Sequence, residues 1–79
     1  MTEKATACVD NIRAILKAAN SSLENVLKVG IFVTDLSAFK EVNAVFEKSF
    51  PHRPARSTVG VASLPLGVSI EMEVTAVVS

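Results

Sequence analysis

The sequence contains no tryptophan and no tyrosine, and it has only one cysteine, three glycines and three prolines among its 79 residues. A single cysteine excludes a disulfide within the chain and a zinc site built from several cysteines, which fits a reducing compartment. No run of about 18 apolar residues occurs, so no segment is expected to span a membrane. Eight basic and eight acidic side chains balance, which argues against a strongly charged surface for nucleic acid or anionic lipid.

The length predicts one small domain over residues 1–79. Such a domain buries only about 60–65% of its unfolded surface, yet 49% of its residues are hydrophobic. We therefore expect it to associate with further subunits. The start, Met1–Lys4, lacks the apolar stretch of a secretory signal, so we expect a cytoplasmic protein, or a mitochondrial one if an upstream segment is missing.

The first half of the chain predicts a helix, a strand and a second helix. Apolar residues recur at helical spacing from Ala5 to Ala19, and Asn20 is a candidate left-handed cap at the end of this helix. The segment Val26–Thr34 alternates in the manner of a strand. Ser37 is predicted to cap the start of a second helix, which ends at Phe50 because the residue before a proline avoids helical geometry.

Two strand-like runs, Arg56–Ala62 and Ser69–Val78, complete the order α-β-α-β-β and predict an α+β fold with both helices on one face of a mixed sheet. The proline and glycine of residues 63–68 indicate a reversal between these runs. If Ala62 pairs with Ser69, the apolar side chains of both strands share the face toward the helices. That face carries Val59, Val61, Ile70, Met72 and Val74. The other carries Arg56, Thr58, Gly60, Glu71, Glu73 and Thr75.

This register predicts that Arg56 and Glu71 project from one polar face, with their backbones about 13 Å apart. An arginine can bind a carboxylate through two parallel hydrogen bonds, and a nearby glutamate can activate water. The same charges are also typical of a solvated strand or a subunit contact. Glu73 lies on the same predicted face as Glu71 and is an equal candidate. Phe32 falls on the face away from the helices, which indicates a protein interface.

Two further reactive side chains are expected to have no catalytic or metal-binding role. Cys8 lies on the apolar stripe of the first helix, so we interpret it as a buried, inert thiol and not as a nucleophile. His52 stands alone in a loop between prolines and is expected to be solvated, because a metal site needs more ligands than one histidine.

Three short motifs are diagnostic in combination: Pro-Ala-Arg-Ser at 54–57, Leu-Pro at 64–65 and Ile-Glu-Met-Glu at 70–73. Together with the segments 11–19, 22–29 and 32–36, and with Phe39 and Asn43, they resemble the reactive-intermediate deaminase (Rid, YjgF-like) family along nearly the whole chain. The resemblance implies a chorismate-mutase-like fold, assembled as a homotrimer with active sites in the clefts between subunits.

The resemblance also implies an activity, the hydrolytic deamination of enamines and imines such as 2-aminoacrylate and 2-iminopropanoate to 2-oxo acids and ammonia. No metal or organic cofactor is implied, and neither a membrane nor nucleic acid is an expected partner. By matching motif positions, Arg56 holds the substrate carboxylate and Glu71 positions or activates water. Asn43 and Thr58 line the pocket, with Thr58 standing where many relatives carry cysteine.

The chain departs from the family pattern at its start. Family members ordinarily begin with additional strands, which contribute an aromatic residue and a Ser-Gly element to the pocket. Here the chain begins almost directly at the first helix, so we expect a truncated member of the family. The alternatives are a catalytically impaired paralogue that acts as an oligomeric interaction module, and a fragment that barely folds alone.

Overall fold

A computed structural model describes residues 1–78. Two helices and three strands follow in the order α1 (Thr2–Ala18), β1 (Val26–Val33), α2 (Phe39–Ser49), β2 (Ala55–Gly60) and β3 (Ile70–Ala76). This is the predicted order α-β-α-β-β. The predicted domain extended to Ser79, which lies outside the described residues. No helix within residues 1–78 is long and apolar enough to cross a bilayer.

Helix α1 packs one apolar stripe onto the sheet and ends in a left-handed cap. Its buried residues recur at spacings of three and four, namely Ala5, Val9, Ile12 and Leu16. Asn20 has a φ of 61°. The Ser21 N–H donates to the Leu16 carbonyl at 2.8 Å and the Asn20 N–H to the Lys17 carbonyl at 3.2 Å. This pair of bonds defines a Schellman motif, so the predicted role of Asn20 is confirmed.

Strand β1 lies at the centre of a three-stranded sheet whose order is β2-β1-β3. It runs parallel to β2 and antiparallel to β3. Its alternate residues Val29, Ile31 and Val33 are fully buried. They form the core with side chains from both helices and from β3, including Phe46, Phe50 and Ile70. The predicted mixed sheet, with helices on one face, is therefore confirmed.

The predicted hairpin between the last two strands is wrong. β2 and β3 do not pair with each other, because β1 lies between them. The segment 61–69 carries the chain from one edge of β1 to the other. The physical reason is that β1 is a strongly apolar strand. At the centre of the sheet it has a hydrogen-bonded neighbour on both edges, and the helices cover its valines.

The corrected topology changes the faces of β2 but not those of β3. Ile70, Met72 and Val74 face the helices as predicted, since they pair with Val33, Ile31 and Val29. In β2, however, Arg56 pairs with Val29 and Val59 pairs with Phe32. Paired residues share a face and neighbours along a strand alternate. Arg56, Thr58 and Gly60 therefore face the helices, and Val59 lies on the open face.

Arg56 and Glu71 consequently lie on opposite faces of the sheet, and the prediction that they share one polar face is wrong. Arg56 is aligned with Val29 on the helix side, whereas Glu71 is aligned with Phe32 on the open side. The two residues also flank β1 from different edges. The side chains of one chain therefore cannot meet across the sheet.

The structure tests two predictions about loop residues. The predicted Ser37 cap of α2 is wrong, because α2 begins after Ala38 with no side-chain cap. Asp35 instead caps the short turn Leu36–Ala38 that precedes α2: its carboxylate accepts a hydrogen bond from the Ser37 N–H at 2.9 Å. His52 is exposed, as predicted, and its Nε2 also lies 3.0 Å from the Val26 carbonyl oxygen.

Cys8 is half-buried on α1, and this burial raises the pKa of its thiol. A raised pKa lowers the thiolate fraction and fits an inert role. Within residues 1–78, no three candidate metal-ligating side chains come together.

The Asp35 cap makes a pH-dependent contribution to stability. Its hydrogen bonds with Ser37 lower the pKa of Asp35 below its ordinary value of 3.8. Because the folded-state pKa is lower than the unfolded one, the stabilisation is present above pH 3.8 and is lost as the pH falls through the folded-state value.

We expect Asp35→Ala to lower the melting temperature at neutral pH and to match the wild type in strong acid. The control is Asp35→Asn, because the amide oxygen of asparagine can still accept the hydrogen bond and does not titrate. A wild-type advantage over Asp35→Ala that persists in strong acid would contradict this assignment.

Candidate active site

Arg56 projects from β2 beneath helix α2 and is half-buried there. Its guanidinium carbon lies 4.6 Å from the centre of the Phe46 ring and 5.7 Å from that of the Phe39 ring. Both distances are within the range of a cation–π interaction. The aromatic rings thus cover part of the charged head and limit its orientation.

Asn43 completes the environment of the guanidinium. Its side-chain oxygen accepts a hydrogen bond from Nη1 of Arg56, and its side-chain nitrogen donates a longer bond of 3.4 Å to Glu47 Oε1. Phe39, Asn43 and Phe46 are four and three residues apart on α2, which places them on one helix face. These ring and amide contacts with the Arg56 guanidinium therefore all come from one face of α2.

Arg56 has no acidic partner within the described residues. The ion pairs of residues 1–78 are those of Arg13 with Asp10 and of the terminal amine with Glu41. A half-buried cation normally lies against a counter-charge, because partial loss of water weakens its solvation. Asn43 occupies only one guanidinium nitrogen, so further N–H donors remain for an external anion. This makes Arg56 suited to binding a carboxylate.

A cleft of about 560 Å³ opens beside Arg56. Its volume lies within the usual range for small-molecule sites. Both apolar and charged side chains line it. The lining residues are Phe46, Glu47, Phe50, Pro51, Arg53, Pro54 and Arg56.

Thr58 lies two residues after Arg56 on the same face of β2. Its hydroxyl oxygen is buried, and no hydrogen-bond partner exists for it among residues 1–78. Burying a hydroxyl without a partner costs free energy. An unpaired polar group on the same face of the strand as Arg56 is a candidate ligand contact.

The acidic side chains predicted for the site lie elsewhere. Glu71 is exposed on the open face of the sheet, aligned with Phe32. Glu73 is also on that face and lies over Gly30, where an added Cβ would come within 3.1 Å of its Oε1. Of the four predicted site residues, the chain brings Arg56 and Asn43 into contact and puts Thr58 on the same face. It separates Glu71 from them.

Three residues near Arg56 or its cleft were not predicted from the sequence. Phe39 and Phe46 flank Asn43 at helical spacing, a signal that becomes usable only once the face of Arg56 is known. Arg53 was passed over as part of a loop. It lines the same cleft as Arg56, and only the folded loop reveals this.

The sequence is similar to those of known proteins along nearly its whole length. A model of the endoribonuclease L-PSP family matches residues 1–78. The chain is 53% identical over 78 residues to the mitochondrial protein Mmf1 of Saccharomyces cerevisiae, which covers 98% of this chain and 54% of the relative. It is 42% identical over 78 residues to 2-iminobutanoate/2-iminopropanoate deaminase of Escherichia coli, covering 94% of this chain and 61% of that protein. The chain therefore belongs to this family, which includes the RutC (YjgF, Rid) proteins.

Solved structures agree with the family assignment. The crystal structure of yeast Mmf1 matches with a TM-score of 0.96 at 52% identity, over 99% of this chain and 63% of that one. The structure of E. coli TdcF with bound serine matches with a TM-score of 0.91 at 36% identity, over 99% of this chain and 65% of that one. The predicted Rid-type fold is thus confirmed. The chain spans between half and two-thirds of the length of these relatives.

Replacing Thr58 by valine tests whether its hydroxyl is unpaired. Valine has nearly the same shape and no polar atom, so we expect Thr58→Val to raise the free energy of unfolding by about 1 kcal/mol. Thr58→Ala removes the same hydroxyl but leaves a small void, and we expect it to be less stable than Thr58→Val. Urea unfolding at one protein concentration measures both. A clear loss of stability in Thr58→Val would show that the hydroxyl has a partner.

Proposed function

We propose that the chain forms part of a deaminase that hydrolyses small 2-imino acids, such as 2-iminopropanoate and its enamine tautomer 2-aminoacrylate, to 2-oxo acids and ammonia. The observation that carries this proposal is the half-buried Arg56 head, which has aromatic and amide contacts but no acidic partner within residues 1–78. The printed name of the E. coli relative, 2-iminobutanoate/2-iminopropanoate deaminase, supports the same substrate class.

In this proposal Arg56 binds the substrate carboxylate through the donors that Asn43 leaves unoccupied. Asn43 and Thr58 line the pocket, and the Thr58 hydroxyl gains the hydrogen-bond partner that it lacks in the described chain. Fixing the carboxylate presents the imine carbon in one orientation, which removes much of the entropic barrier to attack by water.

The reaction itself needs few protein groups. Water adds to the imine carbon while a carboxylate takes one of its protons and passes it to the imine nitrogen. The same carboxylate then takes the hydroxyl proton of the carbinolamine and passes it to the nitrogen as the C–N bond breaks, so that a carbonyl forms and ammonia leaves. The imine carbon is already electrophilic, so the proposed step requires no metal or organic cofactor. The role of the proton acceptor is assigned to Glu71.

Because Glu71 and Arg56 lie on opposite faces of one sheet, we propose that each site combines Arg56 of one subunit with Glu71 of a neighbour. A homotrimer with sites in the clefts between subunits satisfies this requirement. The open face of the sheet supports such an assembly. Phe32 is only half-buried there, and the adjacent Val59 is 44% exposed, so a subunit contact would cover apolar surface that is otherwise in water.

A non-enzymatic interaction module is the second candidate. The same open face favours it, since an oligomer that uses this face needs no competent site, and the chain by itself keeps the two charged groups apart. This candidate predicts a stable oligomer that does not release ammonia. The cellular compartment stays a prediction: we expect the cytoplasm, with mitochondria as the alternative because the relative Mmf1 is described as mitochondrial.

Removing Arg56 tests the carboxylate-binding role. We expect Arg56→Ala to lower kcat/KM for freshly generated 2-aminoacrylate by about 100-fold, since a charge-assisted bidentate contact contributes up to about 3 kcal/mol. Arg56→Lys keeps the charge but loses the planar fork, so an intermediate value is expected. Arg13→Ala, on the exposed face of α1, is the control. The measurement is ammonia release, and a wild-type rate equal to that of buffer would reject the activity for this chain.

Mixed oligomers test the division of the site between subunits. Arg56→Ala and Glu71→Gln are each expected to be inactive alone. After co-refolding in equal amounts, about a quarter of the intersubunit sites should combine an intact arginine with an intact glutamate. We therefore expect about a quarter of the wild-type activity. Light scattering verifies that oligomers form. Activity of Glu71→Gln alone would refute the role of Glu71, and inactive mixed oligomers would refute the shared site.

A further inference from the structure

A second arginine lines the Arg56 cleft, and neither the family resemblance nor the proposed reaction gives it a role. Arg53 is exposed and stands at the margin of the same cleft of about 560 Å³. It is three residues before Arg56, so the two Cα atoms are separated by no more than about 11 Å. Within residues 1–78 no ion pair or side-chain hydrogen bond occupies its guanidinium.

The backbone of the loop holds Arg53 in a conformation that its residue type rarely adopts. Its φ is 53°, in the left-handed region that favours glycine and asparagine. The Arg53 N–H donates to the Phe50 carbonyl at 3.0 Å, which closes a turn. Residues held in rarely populated backbone conformations cluster at functional sites, so Arg53 is a candidate functional residue.

The loop is also anchored on both sides of Arg53. Phe50 is fully buried at the end of α2, and His52 lies 3.0 Å from the Val26 carbonyl oxygen through Nε2. Pro51 and Pro54 restrict their own backbones on either side of this segment. The Arg53 side chain therefore extends from a fixed base, which reduces the entropy lost when it binds a ligand.

The charges of the cleft indicate what Arg53 would bind. Two guanidinium groups and one carboxylate, that of Glu47, line it. Arg56 already donates one hydrogen bond to Asn43, and its remaining donors are assigned to the first carboxylate, so a second carboxylate would find Arg53 as the other cationic group of the cleft. Glu47 is a weak competitor for Arg53, because no contact within 4.0 Å joins their charged atoms among the described residues.

We propose that Arg53 forms a second anion-binding subsite and that the cleft prefers acids with two carboxylates over those with one. The assignment of the first carboxylate to Arg56 rests on the proposed function. The second carboxylate binds Arg53 at the open side of the cleft. The preferred substrates are therefore imines of short dicarboxylic acids.

Equilibrium binding tests this preference without requiring turnover. The probes are 2-oxobutanoate and 2-oxoglutarate, which carry one and two carboxylates, titrated into the full chain by calorimetry at low salt. We expect 2-oxoglutarate to bind about fivefold more tightly, as a solvent-exposed charge-assisted hydrogen bond allows. Raising the salt concentration should reduce the preference, because exposed charges are screened.

Arg53→Asn is the decisive variant, since asparagine adopts the left-handed conformation readily and the turn is retained. It should abolish the preference for 2-oxoglutarate and leave the affinity for 2-oxobutanoate unchanged. Arg13→Gln, which makes the same change in net charge outside the cleft, should bind both acids as the wild type does. Glu47→Gln removes the negative charge of the cleft and should strengthen the binding of 2-oxoglutarate about threefold.

The outcomes separate this inference from the proposed reaction. Equal binding of both acids by the wild type, binding of neither, or a preference that survives Arg53→Asn would each overturn the subsite. Absence of ammonia release from every imine, together with a preference that Arg53→Asn abolishes, would reject the reaction and retain the subsite.

Discussion

The hydrogen bonding of β1 on both of its edges is the constraint on which the other features of this chain depend. Within residues 1–78, only this strand has a neighbour on each side. Its buried residues Val29, Ile31 and Val33 determine which face the helices cover. Because β2 and β3 take their register from β1 rather than from each other, the direction of every side chain on those strands is decided by its alignment with β1.

One result of this alignment is a basic group on the apolar side of the sheet. Arg56 is aligned with a fully buried valine, and its head emerges beneath α2 against Phe46 and Asn43. The buried, unpaired hydroxyl of Thr58 lies on the same face. Burying the Thr58 hydroxyl without a partner costs stability, and under the proposed function a small carboxylic acid would bind to both groups. Such local costs are typical of ligand sites, where binding contributes what folding alone does not.

The other result is the separation of Glu71 from Arg56. In one chain the two groups lie on opposite faces, and a hydrolytic site that uses both requires a second subunit. In the proposed oligomer, association would therefore complete the site as well as cover Phe32 and Val59 on the open face. It also distinguishes the two candidate functions, since an interaction module needs only the apolar contact, whereas an enzyme needs the contact and the correct pairing of charges.

The sequence by itself determined the elements, the C-terminal cap at Asn20, the core stripe of α1, the two faces of β3 and the family, because periodicity and short motifs are local properties. It did not determine the partners of β2. Arg56 and Thr58 alternate with Ser57 and Val59, so neither face of that strand has a strong apolar signal, and the proline and glycine of the connection indicated a hairpin instead of the observed crossover. Only the tertiary structure decided that β1 separates the two strands, because β1 buries its valines and satisfies both of its edges at once in that arrangement.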